Sequence, residues 1–161
     1  MHAPSTAMSA FLNDLLAPVF LRVAQVTTFI NSTGVIRALE KYVSEGRLQS
    51  TTLFVIYDVA NLYTMIPRQG ALDALRRFLE KHLKHHRIGT LSVNDLMEMA
   101  QLVLDTNCFA YDGKYYRQIR GGAMGSAFTQ TLANIYMLEW EHDFIRHQLS
   151  NNEIYGRCVE A

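Results

Sequence analysis

The sequence predicts an α+β domain in which an antiparallel sheet packs against helices. Three observations predict it. Several segments repeat apolar residues at helical spacing, residues 107–119 read as a β-hairpin, and residues 52–57 form a β-branched and aromatic run typical of a strand. The elements follow the order α, α, β, α, α, β-hairpin, α, β, without the regular strand–helix alternation of a parallel sheet.

The composition indicates one globular domain. The chain has 161 residues, of which 49% are hydrophobic and 19% charged, enough for a substantial core. The formal net charge is zero, so composition shows no basic surface for nucleic acid. Cys108 and Cys158 lack metal-ligand spacing, which predicts reduced thiols in an intracellular protein. We expect neither a signal peptide nor a membrane-spanning run of about 20 apolar residues.

Two helices are predicted before the first strand. Residues 1–9 are expected to be a tail, and residues 10–26 a helix that Pro18 kinks or breaks. Asn31 begins an N-cap cluster for the second helix, and Gly46 is placed to end it. The expected core faces are Phe11, Leu15, Leu16, Val19, Phe20 and Val23 in the first helix and Val35, Ile36, Leu39, Tyr42 and Val43 in the second.

The second half of the chain gives clearer local signals. An amphipathic helix is predicted over residues 69–83, and a capping box formed by Ser92 and Asp95 begins the next helix. In the hairpin, the adjacent Asp112 and Gly113 predict a type I′ turn. A long helix is expected over about 129–149, with Glu139, Glu141 and Asp143 on its polar face, and a last strand from near Glu153.

Three segments carry the residues of a candidate functional site. The first is FVIYDVANLYTMIP, where the strand ends at Asp58 and Tyr63 follows five residues later. A carboxylate at the end of a buried strand costs free energy unless it is solvated, paired or bound to a metal. The second is YYRQIRGGAMGSAFTQTLANIYM, a strand, a glycine-rich loop and a helix. The third is NNEIYGRCVEA.

Together these segments resemble the palm of a reverse transcriptase, and most closely that of the Penelope-like retroelement enzymes, relatives of telomerase reverse transcriptase. The first is similar to that family's strand-end acid followed by LYTxIP. The second is similar to its RGxAMGS loop and LAN-containing helix, and the third lies where the family has YGRYxDD. The resemblance covers essentially the whole chain and implies an incomplete palm over residues 1–161, with the fingers motifs and the thumb missing.

The resemblance implies an RNA-directed DNA polymerase, a nucleotidyltransferase that acts in the nucleus. Its partners would be an RNA template, a DNA primer and deoxynucleoside triphosphates. Nucleotidyl transfer uses two divalent cations about 4 Å apart, and Mg²⁺, or Mn²⁺, prefers carboxylate and phosphate oxygens. The implied catalytic acids are Asp58, which would bind the metal, and Glu160 in the third segment. The implied nucleotide-binding residues are Val59, Tyr63, Gly125, Ser126 and Asn134, with Tyr63 as the aromatic gate that excludes a ribose 2′-hydroxyl.

The third segment departs from the family's pattern. Cys158 replaces the expected tyrosine, and Glu160 and Ala161 replace the two aspartates. Because a displacement of about 1 Å can lower a rate on the order of a hundredfold, we expect this chain to be inactive or nearly so. In the second segment, Ala127, Thr129 and Gln130 stand where the family usually has prolines and serine.

Other interpretations of the same residues remain open. The chain could be a non-catalytic remnant that binds nucleic acid weakly or serves as a protein-interaction module. The glycine loop could be a dinucleotide-binding turn, although it reads GGxxG and no βαβ unit surrounds it. His82, His85 and His86 have a spacing that could bind zinc, although a solvated helix end is favoured. Asp58 alone could be a turn residue.

Overall fold

Four helices carry the hydrophobic core, and short strands lie beside them. The computed structural model describes residues 4–158, and its elements confirm the α+β class. In order they are α1 (Pro4–Ala24), β1 (Thr28–Phe29), α2 (Ser32–Ser44), α3 (Leu62–Met65), α4 (Arg68–His82), β2 (Arg87–Ile88), β3 (Leu91–Ser92), α5 (Val93–Asp105), β4 (Cys108–Tyr111), β5 (Lys114–Arg117), α6 (Ala127–Trp140), α7 (His142–Ser150) and β6 (Arg157–Cys158).

The strands of the described region form three separate two-stranded sheets. β1 pairs with β6 in parallel, with Thr28 opposite Arg157 and Phe29 opposite Cys158. β2 with β3, and β4 with β5, are antiparallel pairs. The single antiparallel sheet that the sequence predicts is therefore not formed by these residues.

The strand predicted over residues 52–57 is wrong for the described structure. These residues belong to no helix or strand, and Leu53 and Ile56 are 84% and 97% exposed. A β-branched and aromatic run has strand propensity because it fits a half-buried sheet. No described residue pairs with its backbone, so the propensity is not realised.

Helix α1 is longer than predicted, because it begins at Pro4 within the expected tail and passes through Pro18 without a break. Pro18 lies on the exposed side, where water can satisfy the carbonyl group that loses its helical hydrogen bond. The predicted core face is largely confirmed: Leu16 and Phe20 are buried, and three further predicted residues pack partly buried against the core, namely Leu15, Val19 and Val23. Phe11 is the exception at 47% exposure, and Leu12 and Ala24 are buried although they were not predicted.

The span Ser5–Thr27 is long and apolar enough to cross a membrane by length and composition, contrary to the expectation from the sequence. The same two properties are found in core helices, so they are weak evidence for a membrane span. Leu12 and Leu16 are fully buried in the cluster that also contains residues of α4, α5 and α6. In this structure α1 therefore serves as a core helix.

The ends of α2 confirm the prediction, whereas its face does not. The Asn31 side chain accepts a hydrogen bond from the Gly34 backbone N–H at 3.0 Å, and Gly46 follows the helix with φ +71°. Ile36 and Val43 are more than half exposed, and Tyr42 is the buried residue of this helix. The helix therefore forms on local signals and packs little of its predicted apolar face.

Helices α4 and α5 confirm their predictions closely. The core face of α4 includes the fully buried Leu75 and Leu79, and Phe78 is 7% exposed. At the start of α5 both hydrogen bonds of the capping box between Ser92 and Asp95 are present. These helices pack against each other, and α4 also packs against α6 and α5 against α1.

The hairpin has the predicted turn, and the long helix after it is divided in two. Asp112 and Gly113 have φ of +49° and +70°, as a type I′ turn requires, between paired β4 and β5. The helix expected over 129–149 ends at Trp140, and α7 begins at His142. Glu141 separates them and is only 2% exposed, so its prediction as a polar-face residue is wrong.

Burial predicts how differently two leucines respond to truncation. We expect Leu75→Ala to lower the free energy of unfolding by about 2–5 kcal/mol, because it removes buried methyl groups and leaves a cavity. Leu53→Ala, the control on an exposed leucine, should change it by less than about 0.5 kcal/mol. Urea unfolding followed by circular dichroism compares them, and equal losses would contradict the described core.

Candidate functional site

A short helix sets the position of Tyr63. Asn61 has left-handed backbone angles, φ +56° and ψ +29°, and its carbonyl oxygen accepts hydrogen bonds from the Thr64 and Met65 N–H groups. Asparagine adopts this conformation more readily than most residues. The chain then makes one turn of α3, and Ile66 enters the core at 3% exposure before α4 begins. Tyr63 is thereby held half-buried against the core.

The glycine-rich loop docks on this turn through its backbone. The Gly122 N–H donates to the Tyr63 carbonyl oxygen at 2.8 Å, and the Gly121 N–H donates to the Ile66 carbonyl oxygen at 3.1 Å. Gly121 has φ +62°, and a Cβ there would lie 2.4 Å from the backbone of Thr64. Only glycine permits this approach. The first and second motifs therefore meet backbone to backbone.

Two polar side chains that the sequence did not single out reinforce this contact. Arg68 donates from Nε to the Gly121 carbonyl oxygen at 2.7 Å and from Nη2 to the Gln118 carbonyl oxygen at 2.6 Å. Gln118 donates from Nε2 to the Gly122 carbonyl oxygen at 2.8 Å. Burial lowers the pKa of Arg68, and the charge of Asp105 acts in the opposite direction. No spacing rule indicates either residue, because each one satisfies carbonyl groups that approach only in the folded chain.

The two motifs together line a cavity of about 340 Å³. Three predicted nucleotide-binding residues, Tyr63, Gly125 and Ser126, border it, and the first turn of α6 completes its wall. The lining of the cavity consists of Tyr63, Ala123, Gly125, Ser126, Ala127, Thr129 and Gln130. A larger groove of about 670 Å³ between α1, α4, α6 and α7 is not lined by these residues.

Ser126 also has a structural role that the motif does not reveal. It is the N-cap of α6, accepting from the Thr129 N–H at 3.4 Å, and its hydroxyl lies 2.8 Å from that of Ser9. Ser9 in turn accepts from the Phe128 N–H at 3.2 Å. These contacts join the start of α6 to α1, so that the wall of the cavity is fixed to the core.

The remaining predicted residues lie outside this cavity lining. Asp58 and Val59 are exposed, and no hydrogen bond to Asp58 is found within residues 4–158. Asn134 is half-buried in α6, and its carbonyl oxygen accepts from Arg157 Nη2 at 3.1 Å. Glu160 lies outside the described residues.

Of the two predicted catalytic acids, Asp58 lies within the described residues. Within residues 4–158 there is no group of three or more His, Cys, Asp or Glu side chains that could bind a metal ion. A pair of Mg²⁺ ions needs several oxygen ligands. These residues therefore do not by themselves form a site for a metal pair, and we assign no catalytic step to one.

The third motif is fixed by a buried ion pair. Arg157 Nη1 lies 3.5 Å from Glu141 Oε1, with the two side chains 17% and 3% exposed, and the Arg157 guanidinium lies over the Phe20 ring, 5.8 Å from its centroid. Burial raises the pKa of Glu141, and the positive charge of Arg157 counteracts it. The sequence did not predict this pair, because Glu141 was expected on the exposed polar face of one long helix, together with Glu139 and Asp143.

The third motif also contacts the first. The hydroxyl groups of Tyr57 and Tyr155 lie 3.2 Å apart. Burial, followed by this hydrogen bond, raises the pKa of Tyr155 above its ordinary range. Beside it, Gly156 packs on the Phe29 ring so closely that a Cβ would lie 1.9 Å from a ring carbon. All three motifs are thus in contact with one another in the folded structure.

Comparison with known proteins adds no relative. No protein-family model, no curated protein and no solved structure matches this chain. The functional assignment therefore depends on the motifs and on the contacts between them.

The docking of the glycine loop predicts an effect of Gly121→Ala. Both this variant and its control, Gly89→Ala, place a side chain at positive φ, which costs about 1–2 kcal/mol. Only the Gly121 variant also meets backbone atoms, so we expect a further loss of about 1–3 kcal/mol in unfolding free energy. Chemical denaturation measures both variants, and a Gly121 variant no worse than the control would contradict the docking.

The buried ion pair predicts a pH-dependent loss of stability in Arg157→Met. Without the guanidinium, Glu141 is a buried unpaired charge, so we expect a loss of about 3–5 kcal/mol at pH 7. A carboxyl group whose pKa is raised on folding contributes stability that is fully present below its unfolded pKa. That contribution disappears as the pH rises through the folded pKa, so the loss should shrink toward pH 5.

The matched control is Arg146→Met. Arg146 pairs with Asp143 at 2.7 Å, but both side chains are more than 70% exposed. We expect this variant to lose less than about 1 kcal/mol at either pH. Urea unfolding of both variants at pH 5 and pH 7 gives the comparison. A loss in Arg157→Met that is the same at both pH values would contradict the role of Glu141.

Proposed function

We propose that the chain is a reverse transcriptase domain of Penelope-like type whose catalytic activity is lost or nearly lost. In its active form such a domain extends a DNA primer with deoxynucleotides on an RNA template. The observation that carries the proposal is the cavity where Tyr63 meets Gly125 and Ser126. Tyr63 and Gly125, which lie 62 residues apart in the sequence, are residues that the resemblance assigns to one nucleotide site.

The contacts of this cavity suit the proposed roles. The ring of Tyr63 stands at its border, where an aromatic side chain can exclude a sugar hydroxyl by its bulk. Gly125 has φ +82° and no heavy atom within 4 Å of the position of a Cβ, which leaves its backbone open to a ligand. Thr129 and Gln130, in the first turn of α6, add polar residues to the lining. Val59 and Asn134 are proposed as nucleotide contacts outside the described lining.

The proposed loss of activity follows from the acidic residues that the third segment has lost or changed. In an intact site, Mg²⁺ or Mn²⁺ would activate the primer hydroxyl and neutralise the triphosphate. Asp58 is the one proposed ligand whose position is described, and it is exposed and accessible. Glu160 has a longer side chain than aspartate, and Ala161 has no carboxylate. This chain therefore has one carboxylate, that of Glu160, where the family's third motif supplies two aspartates.

A second candidate function is weak binding of single-stranded nucleic acid without catalysis. It is favoured by the hairpin β4–β5, where Tyr111 and Tyr115 are 71% and 86% exposed and Lys114 lies between them. Phe109 and Tyr116 stack with their ring centroids 5.5 Å apart. Exposed aromatic rings with nearby cations are the usual platform for unpaired bases.

Primer extension tests both the family and the loss of activity. We expect the unaltered chain to extend a DNA primer on an RNA template no better than Asp58→Ala, with Mg²⁺ or Mn²⁺. The double variant E160D/A161D restores both acids and should raise extension on the order of a hundredfold. Adding Asp58→Ala to that variant is the control and should abolish the gain.

The outcomes separate the two parts of the proposal. Extension by the unaltered chain that Asp58→Ala removes would show that activity survives. A restored variant that gains no extension, together with no binding of a labelled deoxynucleoside triphosphate, would count against the reverse transcriptase assignment. Binding of labelled single-stranded RNA that Tyr115→Ala weakens several-fold, without extension, would favour the second candidate.

A further inference from the structure

Residues 76–87, here named the basic cluster, concentrate positive charge in the second half of α4 and just after it. They hold five of the chain's 15 lysines and arginines, three of its six histidines and one acid, Glu80. The five cations, all exposed, are Arg76, Arg77, Lys81, Lys84 and Arg87. The zero net charge of the whole chain therefore conceals a strongly positive surface.

Three of these cations remain available to an anion from outside. Two others are held in ion pairs, Arg76 with Glu80 at 3.7 Å and Arg77 with Glu139. Within residues 4–158 no ion pair is formed by Lys81, Lys84 or Arg87. Hydrogen bonds from Ser92 lower the pKa of Asp95, and the charge of Arg87 adds to this effect from a longer distance.

The pKa of His82 reflects the same positive environment. Burial is the main cause that lowers it, and the positive charges of Lys81 and Arg22 lower it further. Arg22 lies in the last turn of α1 and is exposed. Positive charge therefore continues from the basic cluster onto the end of α1.

A cavity of about 440 Å³ in the basic cluster carries donors that suit phosphate oxygens. Its lining consists of Arg76, Glu80, His85, His86, Arg87, Ser92, Val93 and Asn94. Arginine presents a fork of N–H groups that matches two phosphate oxygens at once. Glu80 is the one acid of this lining, and its partner Arg76 also donates to the Asn94 side chain at 3.1 Å.

The extent and the composition of the basic cluster favour a chain of phosphates. Arg76 and Lys81 are about 7.5 Å apart along the helix axis, more than twice the roughly 3.4 Å that separates phosphates along one DNA strand. A single phosphate ion would contact one such point. Among residues 76–92 no large apolar side chain is exposed, so this surface has no side chain to insert into a lipid bilayer.

We propose that the basic cluster binds the phosphodiester backbone of a nucleic acid, at a surface separate from the cavity beside Tyr63. The backbone carries no sequence information, so RNA and DNA strands of different sequence should bind alike. The proposed reverse transcriptase function supplies a template and a primer as partners. The inference itself depends on the charges of the cluster and does not require catalysis.

A salt titration of nucleic-acid binding tests the proposal. The triple variant Lys81→Gln/Lys84→Gln/Arg87→Gln removes the three exposed cations that form no ion pair. Fluorescence anisotropy of labelled poly(U) and poly(dT) gives the affinity at several salt concentrations. Each phosphate contact on a single strand adds about 0.7 to the slope of log affinity against log salt. With both probes we therefore expect the slope to fall by about 2, and the low-salt affinity by roughly tenfold or more.

The matched control is Arg37→Gln/Lys41→Gln/Arg146→Gln, which removes the same total charge from exposed residues of α2 and α7. It should keep the slope of the unaltered chain and an affinity within about twofold of it. Tyr115→Ala, in the aromatic hairpin, should also leave the slope unchanged, because its ring carries no charge. Circular dichroism checks that each variant is folded.

Several results would overturn the inference. The unaltered chain would bind neither probe at low salt, or the triple variant would keep the unaltered slope. Equal losses in the triple variant and its control would show an effect of net charge alone. Displacement of poly(U) by poly-glutamate at equal charge concentration would indicate an acidic protein partner. Binding to phosphatidylserine vesicles that the triple variant loses, while it keeps poly(U), would indicate a membrane.

These measurements are independent of primer extension. A chain that binds through the basic cluster but gains no extension in E160D/A161D would retain this inference and count against the reverse transcriptase assignment. A variant that gains extension while the triple substitution leaves the salt slope unchanged would do the reverse.

Discussion

Two backbone hydrogen bonds, from Gly121 and Gly122 to the turn of α3, hold the candidate site together. They join the stretch that begins α4 to the loop that begins α6, so both core helices start from one fixed point. Arg68, itself in the first turn of α4, reaches across this contact and binds the carbonyl groups of the loop. The cavity beside Tyr63 exists because these two chain segments cannot separate without losing that whole set of bonds.

The fold was predictable where its causes are local. The Asn31 cap, the capping box at Ser92 and the turn at Asp112 each depend on residues within a few positions, and the structure contains all three. Residues 52–57 were not predictable in this way, since a strand needs a partner that propensity does not specify. Pro18 does not break α1, because the carbonyl group that loses its hydrogen bond is exposed to water and the flanking residues Leu16 and Phe20 are buried in the core.

The candidate site was predictable in part, for a related reason. Tyr63, Gly125 and Ser126 come together because their motifs include the glycines that allow close approach. Asp58, Val59 and Asn134 lie outside that cavity lining. The place of a residue in a motif does not determine which surface of the folded chain its side chain faces. Arg68, Gln118 and the Glu141–Arg157 pair could not be predicted from the sequence. Each side chain pairs with a polar group that becomes buried beside it only when the chain folds.

The short parallel pair of β1 and β6 has a consequence for the order of folding. It joins residues 28–29 to residues 157–158, so nearly the whole chain must be closed into a loop before it forms. Such non-local contacts slow folding, whereas the contact of α4 with α5 closes a short connection. The contact between α4 and α5 should therefore form early, and β1 and β6 should pair late and be among the first segments to exchange their amide hydrogens.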